Sequence, residues 1–307
     1  MAEQTLSTDP PNKYKRSRLT IGQSEAILGF VLVIPVVLCL VTLVFYPFFF
    51  AIWISFTDRT VGTTGNFVGL ENYARLARQS SFQATIRNTI VIVGAVQLIK
   101  LFLGISIALL LNQQIRFRQG WRGLILLPWA MPAFVAYITW KLLYAPQGGA
   151  FNFILINSGL VDSHVDFLSS KEYARASVIV ATAWRGFPFW VITFLAALQA
   201  VPVEMYEAAA IDGAAPWQRF RHITIPGIRD VVLLVVLLST IWTTNSFENI
   251  WLLTQGGPSD TTMTFPVLAY FGMQSLRIGE AAAVSVSMIP IFALLALIVA
   301  RILQDES

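Results

Sequence analysis

Long apolar runs alternate with short polar stretches along most of the chain. Six runs, at about residues 27–50, 89–111, 123–144, 177–199, 231–253 and 281–303, reach the roughly 20 residues that a helix needs to cross a bilayer. Several contain prolines, which membrane helices tolerate where neighbouring helices or water-lined cavities take up the freed carbonyl groups. The pattern predicts an all-α polytopic membrane protein with six transmembrane helices, packed as a bundle with bends.

The distribution of Lys and Arg predicts the orientation of these spans. Basic residues are more frequent in the N-terminal tail, residues 1–25, and in the second and fourth connections than in the longer remaining ones. Since cytoplasmic segments carry an excess of Lys and Arg, this bias, although not steep, puts both termini in the cytoplasm. Residues 26–307 are then the transmembrane domain, and the polar stretch at 202–228 is a cytoplasmic loop.

Composition narrows the class of protein. The 307 residues are 56% hydrophobic and 12% charged, which is too apolar for a single water-soluble core. The net charge of +4 is modest and no basic face is interleaved with aromatic residues, so nucleic-acid binding is not expected. Cys39 is the only cysteine, and the only histidines, His164 and His222, fall in different loops. We therefore expect no metal site, no haem and no catalytic residues.

The loop at 202–228 has the signals of two short helices. Pro202 suits the first turn of a helix over 203–211. Gly213 accepts the left-handed conformation that ends such a helix. A second helix begins at Pro216 and is expected to end at Pro226. The sequence predicts a helix-turn-helix outside the membrane.

Two roles are open for this helix-turn-helix. It could rest on lipid headgroups as an amphipathic segment. Lipid-binding helices, however, usually set bulky apolar residues opposite Lys and Arg. Here one face carries the small residues Ala208, Ala209 and Ala214, with Glu204 and Glu207 beside it. That face favours close approach by another protein.

Residues 207–226, EAAAIDGAAPWQRFRHITIP, resemble the EAA loop of ABC importer permeases. The family pattern is E-A-A, three positions, G, nine positions, then I-x-L-P, with Ile225 here in place of the usual Leu. In that family this loop is the coupling helix, which inserts into a cleft of a cytoplasmic ATPase subunit. The resemblance implies that the coupling residues are Glu207, Ala208, Ala209, Asp212, Gly213, Trp217, Phe220, Ile223 and Pro226.

The resemblance covers nearly the whole chain. It includes FVGLENY at 67–73, LPWAMP at 127–132, WRGFPF at 184–189, LQAVP at 198–202 and LTQGGP at 253–258, in the expected order and spacing. These motifs are similar to the sugar-importer branch that contains the maltose and glycerol-3-phosphate permeases. The implied fold is the type I ABC importer permease fold. The implied function is import of a sugar or sugar derivative across the bacterial inner membrane by alternating access.

The resemblance also implies partners. No G-x-x-x-x-G-K-[ST] loop occurs in the chain, so this polypeptide is not expected to bind ATP itself. ATP and Mg would be bound by two copies of a cytoplasmic ATPase subunit. A second homologous permease and an extracytoplasmic solute-binding protein would complete the importer. The Gly256-Gly257-Pro258 loop would meet that binding protein, or it is an ordinary turn.

Three basic residues fall within apolar spans, where a charge costs about 2.5–3.5 kcal/mol on insertion scales. Lys141 is near the outer end of its span, so its amine can reach the interface. Lys100 is deeper, and the polar residues Gln97 and Asn112 favour a structural role for it over a substrate role. The third, Arg185, is the strongest candidate for contact with a substrate.

Arg185 lies in a segment suited to a sugar. It follows Trp184 and precedes Gly186 and Pro188; a glycine lets a ligand approach the backbone and a proline frees carbonyl groups. Aromatic rings stack on the C–H face of a sugar and polar groups satisfy its hydroxyls. The alternative is a packed aromatic girdle in which Arg185 pairs with an acid such as Glu248.

In the maltose permease the sugar is held at mid-membrane by spans flanking the EAA loop. By resemblance, the corresponding substrate-binding positions here are Ala133, Thr182, Trp184, Arg185, Gly186, Phe189, Ser239 and Thr243. Ala133 and Arg185 change polarity relative to that permease, which argues against maltose. A cation in the path would suit an anionic sugar or would pair within the protein. Specificity could also reside in the binding protein or the second permease.

Other functions remain as alternatives. The chain could import glycerol-3-phosphate or a polyol. It could instead be an ion-gradient-driven secondary transporter, but such proteins show internal repeats and buried acids, and only Glu248, near one end of a span, fits. A membrane protein without a transport role would not need Arg185 or the polar residues 243–245.

Overall fold

The computed structural model describes the backbone of residues 21–304 and the side chains of residues 28–304. The structure is 75% helical. Within the described residues the only β pairing is an isolated antiparallel bridge between Thr57 and Phe67. The predicted all-α class is therefore confirmed. The predicted tail at 1–25 lies almost wholly outside the described residues.

The helical elements follow one another along the chain with short connections. Their bounds are α1 Ile21–Leu40, a π-helical segment Val41–Phe45, α2 Tyr46–Ser55, α3 Glu71–Arg78, α4 Ser80–Asn112, α5 Arg118–Ala130, α6 Ala133–Leu143, α7 Ala150–Asn157, α8 Ala174–Ala200, α9 Val203–Ile211, α10 Pro216–Arg219, a second π-helical segment Phe220–Thr224, α11 Ile225–Thr244, α12 Glu248–Leu253, α13 Phe265–Gln274, α14 Ile278–Val286 and α15 Ile289–Gln304.

Five helical stretches are long and apolar enough to cross a membrane. They are Leu28–Ser55, Ser80–Asn112, Ala174–Ala200, Pro216–Thr244 and Ile278–Gln304. A bent pair formed by α5 and α6 is the sixth candidate. The six predicted spans therefore all correspond to helical segments, although the third and fifth are interrupted and the sixth has a turn at Ser287 and Met288 between α14 and α15.

The predicted third span, residues 123–144, is not one helix. It is divided into α5 and α6, whose axes differ by 89°. Met131 and Pro132 have extended ψ angles of 137° and 135°. The cause is steric, because the proline ring disfavours a helical conformation at the residue before it. The bend expected at the prolines of this span therefore divides it into two helices.

The predicted fifth span, residues 231–253, is also shifted and interrupted. α11 ends at Thr244, and α12 begins only at Glu248. At this end the side-chain amide of Asn245 donates to the carbonyl of Ile241 at 2.9 Å, and the Thr244 hydroxyl donates to the Thr240 carbonyl at 2.7 Å. Such side chains compete with the backbone for helical carbonyls.

The predicted helix end at Pro226 was wrong. The helix that begins at Pro216 continues to Thr244 without a break. Residues Phe220–Thr224 adopt a π-helical turn, in which the N–H of Ile225 bonds to the carbonyl of Phe220. Pro226 follows in the first turn of α11. The wider π turn thus absorbs the proline, which lacks an N–H and would disrupt an ordinary α-helical turn.

The core between the long helices is built around α4 and α8. Ala108 of α4 and Trp190 and Phe194 of α8 are completely buried. At Gly104 an added Cβ would lie 2.9 Å from the Cβ of Trp190. Glycine is therefore required at this crossing, since small residues let membrane helices approach closely.

The chain divides into two compact units, and the first ends at Ala51. In the first unit, α1 contains Pro35 and leads through the π-helical segment into the start of α2. In the second unit, residues 56–79 form a loop with α3. There the Asn72 side chain is buried and donates to the carbonyls of Ser55 and Thr57 at 2.9 and 2.8 Å. These bonds fix the loop against the end of α2.

The loop after α12 is internally packed. Gly256 has φ +87°, and a Cβ there would lie 2.8 Å from the Cε atom of Met263. Thr262 donates to the carbonyl of Gly257 at 2.8 Å and shares a 2.7 Å hydrogen bond with Thr254. A structural reason therefore exists for glycine in this loop; contact with a binding protein stays a prediction.

Candidate functional site

A cavity of about 120 Å³ opens where α4, α8 and α11 meet the bend between α5 and α6. Its walls combine cations, hydroxyl groups and aromatic rings, and no carboxylate lines it among the described residues. The lining residues are Lys100, Trp129, Tyr137, Thr182, Arg185, Gly186, Phe189, Ser239, Trp242, Thr243 and Ser246.

Most of the predicted substrate residues line this cavity. On α8, Thr182, Arg185, Gly186 and Phe189 follow the i, i+3, i+4, i+7 spacing, so they share one face of the helix. Ser239 and Thr243 have the same one-turn spacing on α11 and face them. The structure therefore brings together predicted positions on two helices that are far apart in the sequence.

Two predicted substrate residues, Ala133 and Trp184, do not line the cavity. Trp184 lies off the shared face of α8 and packs edge-to-face on Trp140, with ring centroids 5.5 Å apart. Ala133 packs against the same buried cluster. Both residues contribute to the wall of aromatic side chains behind the cavity, and their predicted contact with substrate stays a prediction.

Lys100 is buried in the middle of α4 and bonds across to α11. Its Nζ donates to Thr243 Oγ1 at 3.0 Å and to Ser239 Oγ at 3.3 Å. The Ser239 hydroxyl in turn donates to Gln97 at 3.0 Å and accepts from the indole N–H of Trp190 at 3.1 Å. Neutral groups therefore satisfy the ammonium, and none of them cancels its charge.

Of the two predicted polar neighbours of Lys100, Gln97 is confirmed and Asn112 is not. Gln97 belongs to the network. Asn112 does not, because it ends α4 and lines a different cleft together with Trp217. It lies twelve positions after Lys100 in the same helix, a rise of about 18 Å. Lys141 is exposed in the last turn of α6, outside the cavity.

The glycine at position 186 makes room for Lys100. A Cβ on Gly186 would lie 2.8 Å from Lys100 Nζ. The predicted reason for this glycine was approach of a ligand to the backbone, but the Lys100 side chain occupies that space in this structure. α8 meanwhile continues through Pro188 without a break.

Arg185 has no carboxylate partner within the described residues. Its Nε is buried without a hydrogen bond. Glu248, the predicted alternative partner, is exposed at the start of α12 and forms no ion pair with it. The described ion pairs lie elsewhere, among Glu71, Arg75, Arg277 and Glu280. The proposed pairing of Arg185 with Glu248 was therefore wrong.

Sequence reasoning missed part of the cavity wall. Trp242 packs on Phe189 with ring centroids 5.3 Å apart, and Trp129, Tyr137 and Ser246 complete the lining. Trp129 stands inside the LPWAMP motif, next to the bend, and Ser246 directly follows the polar residues that end α11. Those two signals were available. The inward direction of Tyr137 depends on the 89° angle of the bend, which the sequence did not predict.

The α9–α10 helix pair, residues 203–219, has the predicted local structure. α9 follows Pro202, Gly213 has φ +79°, and α10 begins at Pro216. The Tyr206 hydroxyl bonds to Thr224 Oγ1 at 3.0 Å and ties α9 to the long helix. Ile211, at the end of α9, is 87% exposed.

The predicted coupling residues do not form one surface. Ala209, Asp212, Gly213 and Ile223 line a cleft of about 460 Å³. Trp217 and Phe220, with ring centroids 5.4 Å apart, line a second, apolar cleft of about 790 Å³. The remaining predicted residues, Glu207, Ala208 and Pro226, are exposed. The pair therefore offers two separate clefts, one at the Gly213 turn and one beside Trp217 and Phe220.

No cluster of metal ligands was found among the described residues. Groups of three or more His, Cys, Asp or Glu side chains in ligating arrangement do not occur there. The cavity itself offers hydroxyl, amine, guanidinium and aromatic groups to a ligand.

Comparison with known proteins places these features in a family. Residues 100–305 match the family described as "Binding-protein-dependent transport system inner membrane component". The chain is 34% identical over 263 residues, 85% of its length and 88% of the relative, to the trehalose/maltose transport system permease protein MalF of Thermococcus litoralis. It is 26% identical, over the full length of both chains, to the sulfoquinovosyl glycerol transport system permease protein SmoG of Agrobacterium fabrum.

A solved structure supports the fold. A chain of the bacterial alginate ABC transporter, determined in complex with an alginate pentasaccharide-bound periplasmic protein, superposes with a TM-score of 0.79. The likeness covers 92% of this chain and 96% of that chain at 22% identity. The predicted type I ABC importer permease fold is confirmed. The chain thus belongs to the inner-membrane components of binding-protein-dependent transport systems, and it is a multi-span transport subunit, not an enzyme.

Proposed function

We propose that this chain is the permease subunit of an ATP-driven, binding-protein-dependent importer for a sugar or sugar derivative. The names of its relatives, which cover trehalose/maltose and sulfoquinovosyl glycerol, support that substrate class. The observation that carries the mechanism is the direct helical connection between the cavity and the α9–α10 pair. Force applied at the pair reaches the cavity along α8 and α11.

Both flanks of the helix pair lead into the cavity wall. α8 carries Thr182 to Phe189 and is separated from α9 only by Val201 and Pro202. On the other side, α10 is continuous with α11 up to Thr244. From Phe220 to Ser239 this helix rises about 28 Å. A rotation of the pair therefore moves Ser239 and Thr243 relative to α4.

The α9–α10 pair is the docking site of a cytoplasmic ATPase subunit, which binds ATP and Mg. Two ATPase copies and a second homologous permease would complete the transporter, and an extracytoplasmic binding protein would deliver the solute. ATP binding and hydrolysis drive alternating access only if the ATPase prefers one conformation of the permease over the other. This arrangement places both termini and the helix pair on the cytoplasmic side of the bacterial inner membrane.

The cavity is this subunit's share of the substrate path. Phe189, Trp129 and Trp242 present rings for a sugar face, and Thr182, Ser239 and Thr243 present hydroxyls. Its volume of about 120 Å³ is smaller than the roughly 300–1,000 Å³ of ordinary small-molecule sites. Trp129 and Trp242 are 52% and 56% exposed, so the wall beyond them would come from the second permease.

Import of glycerol-3-phosphate or a polyol is a second candidate. The small cavity volume favours both compounds, and the two cations in its wall favour glycerol-3-phosphate. An ion-gradient-driven transporter is less well supported, since the cavity lining contains no carboxylate among the described residues to bind a proton or sodium ion.

Co-purification tests the assignment of the helix pair. The tagged chain, expressed with the genes that accompany it, should bring down an ATPase subunit. Glu207→Lys should abolish that association, because reversing a charge within a docking surface replaces attraction by repulsion. Asp162→Lys, on an exposed loop elsewhere, is the matched control and should retain the ATPase. Retention by both variants would contradict the coupling role.

A further inference from the structure

The Lys100 and Arg185 side chains are two cations in the wall of one cavity. The Lys100 side chain is 5% exposed. Its position is about 18 Å along the helix axis from the end of α4. Placing one charge near the bilayer centre costs about 2.5–3.5 kcal/mol on insertion scales. Two such charges in one site therefore require an energetic reason.

The described residues around the cavity do not neutralise either cation. Lys100 bonds only to the hydroxyls of Ser239 and Thr243. Arg185 leaves its buried Nε without a partner. No acidic residue lines the cavity within the described part of the chain. Buried charges are normally paired with an opposite charge, so the site has an excess of positive charge.

Lys100 and Arg185 line the same small cavity. The Lys100 side chain lies against Gly186, the residue that follows Arg185. A Cβ added to Gly186 would be 2.8 Å from Lys100 Nζ. The hydrogen bond from Lys100 Nζ to Thr243 Oγ1, 3.0 Å long, holds the amine there. Arg185 belongs to the same face of α8 as Thr182 and Phe189. A ligand entering the cavity therefore meets both cations together.

We propose that Lys100 and Arg185 form a two-cation site for one anionic group of the transported sugar, a carboxylate, sulfonate or phosphate. The inference rests on the proposed function, in which the cavity is part of the import path. The anion accepts hydrogen bonds from the Lys100 amine and the Arg185 guanidinium, and charge-assisted bonds of this kind are the strong ones. The cavity volume of about 120 Å³ suits such a group with part of a ring.

Neighbouring side chains fit the rest of such a ligand. The Thr243 hydroxyl, which accepts a hydrogen bond from Lys100, can donate its own proton to an anion oxygen. The rings of Phe189 and Trp242 then lie beside the sugar ring. A neutral sugar would leave both charges uncompensated, so the site discriminates by charge.

The charge of the cavity can be measured without knowing the substrate. Cys39 is the only cysteine, so Cys39→Ser with Ser246→Cys gives one thiol in this chain, in the cavity wall. The assembled importer is treated with two methanethiosulfonate reagents, one carrying a sulfonate and one a trimethylammonium group. Mass spectrometry of this subunit gives each rate, which is divided by the rate of the same reagent with free cysteine.

We expect the normalised sulfonate rate to exceed the trimethylammonium rate by about tenfold or more, because two nearby cations attract one reagent and repel the other. Lys100→Gln and Arg185→Gln should each lower this ratio severalfold. Lys141→Gln, which removes an exposed cation outside the cavity, should leave it unchanged. A ratio near one in the starting protein, or a ratio that neither cavity variant changes, would overturn the proposal.

Protection separates this inference from the proposed function. Glucuronate should slow the labelling of the cysteine at position 246, glucose should not, and Lys100→Gln should remove the difference. Equal protection by both sugars would leave a sugar site but contradict charge selection. Protection by neither would contradict a substrate site in the cavity, even if the reagent ratio is as expected.

Discussion

The cavity and the α9–α10 helix pair are built in opposite ways. The cavity joins residues from position 100 to position 246, carried on several helices, and its polar residues Lys100 and Ser239 are 5% and 3% exposed. The helix pair uses one continuous stretch of chain. Its apolar side chains Ile211 and Trp217 are 87% and 67% exposed.

This difference means that substitutions in the two regions should impair transport in different ways. The cavity depends on tertiary packing, so a change there should alter the handling of substrate. The helix pair depends on local backbone conformation and leaves its faces open, so a change there should alter association with a partner. Because α8 and α11 join the two regions, both kinds of change should reduce transport, but for different reasons.

Among substitutions that leave the charges of both regions unchanged, the largest effect is expected at the Gly213 turn. Gly213→Val forces a β-branched residue to φ +79°, a conformation that costs L-residues roughly 1–2 kcal/mol or more. If that strain displaces α10, uptake should fall by about 5–30-fold with unchanged KM. Binding-protein-dependent uptake by membrane vesicles measures it.

The matched control is Gly213→Asn. Asparagine tolerates the left-handed conformation, and no atom lies within 4 Å of an added Cβ at this position. It should keep most of the uptake. Equal losses in both variants would mean that the conformation of the turn is not what matters.

A smaller effect is expected in the cavity at Gly186. The methyl group of Gly186→Ala would lie 2.8 Å from Lys100 Nζ, so the amine must move away from Thr243. Because the amine can keep its bond to Ser239, only part of the roughly 1.5–3 kcal/mol of a hydrogen bond to a charged group should be lost, and KM should rise by about threefold to fivefold. Co-purification of the ATPase should not change.

Gly94→Ala is the matched control on α4, where nothing lies within 4 Å of the added methyl. Transport assays should not distinguish it from the starting protein. If Gly186→Ala instead lost the ATPase and kept its KM, the separation between the two regions would be wrong.

The smallest effect on transport is expected at Trp184. Its ring packs on Trp140, outside the cavity, so Trp184→Phe should change KM by less than about twofold while costing stability of about 1 kcal/mol. Thermal unfolding in detergent and uptake kinetics measure the two quantities. A large rise in KM without loss of stability would restore Trp184 to the substrate site.

The sequence predicted local structure better than tertiary structure. Pro202, Gly213 and Pro216 act through their own backbone angles, so the start of α9, the turn and the start of α10 fall where expected. Proline in the long helices was less predictable. Pro128 lies inside α5, whereas Pro132 separates α5 from α6 by an 89° bend. Packing against the other helices, which the sequence does not state, decides between these outcomes.

The cavity was predictable only in part for the same reason. The spacing of Thr182, Arg185 and Phe189 along one helix predicts a shared face. The bond from Lys100 to Thr243 depends on the register of α4 against α11, and no local signal gives that register. The resemblance to sugar permeases supplied positions on both helices, but it did not identify Lys100 as part of the cavity wall.

Reconstitution tests the central claim, that an ATPase acting at the helix pair moves solute through the cavity. The chain is placed in lipid vesicles with its partner permease, the ATPase and the binding protein loaded with a labelled sugar. The account predicts accumulation that requires ATP and the ATPase and is lost in Glu207→Lys. Accumulation at full rate by the purified chain alone, without nucleotide or ATPase, would contradict it.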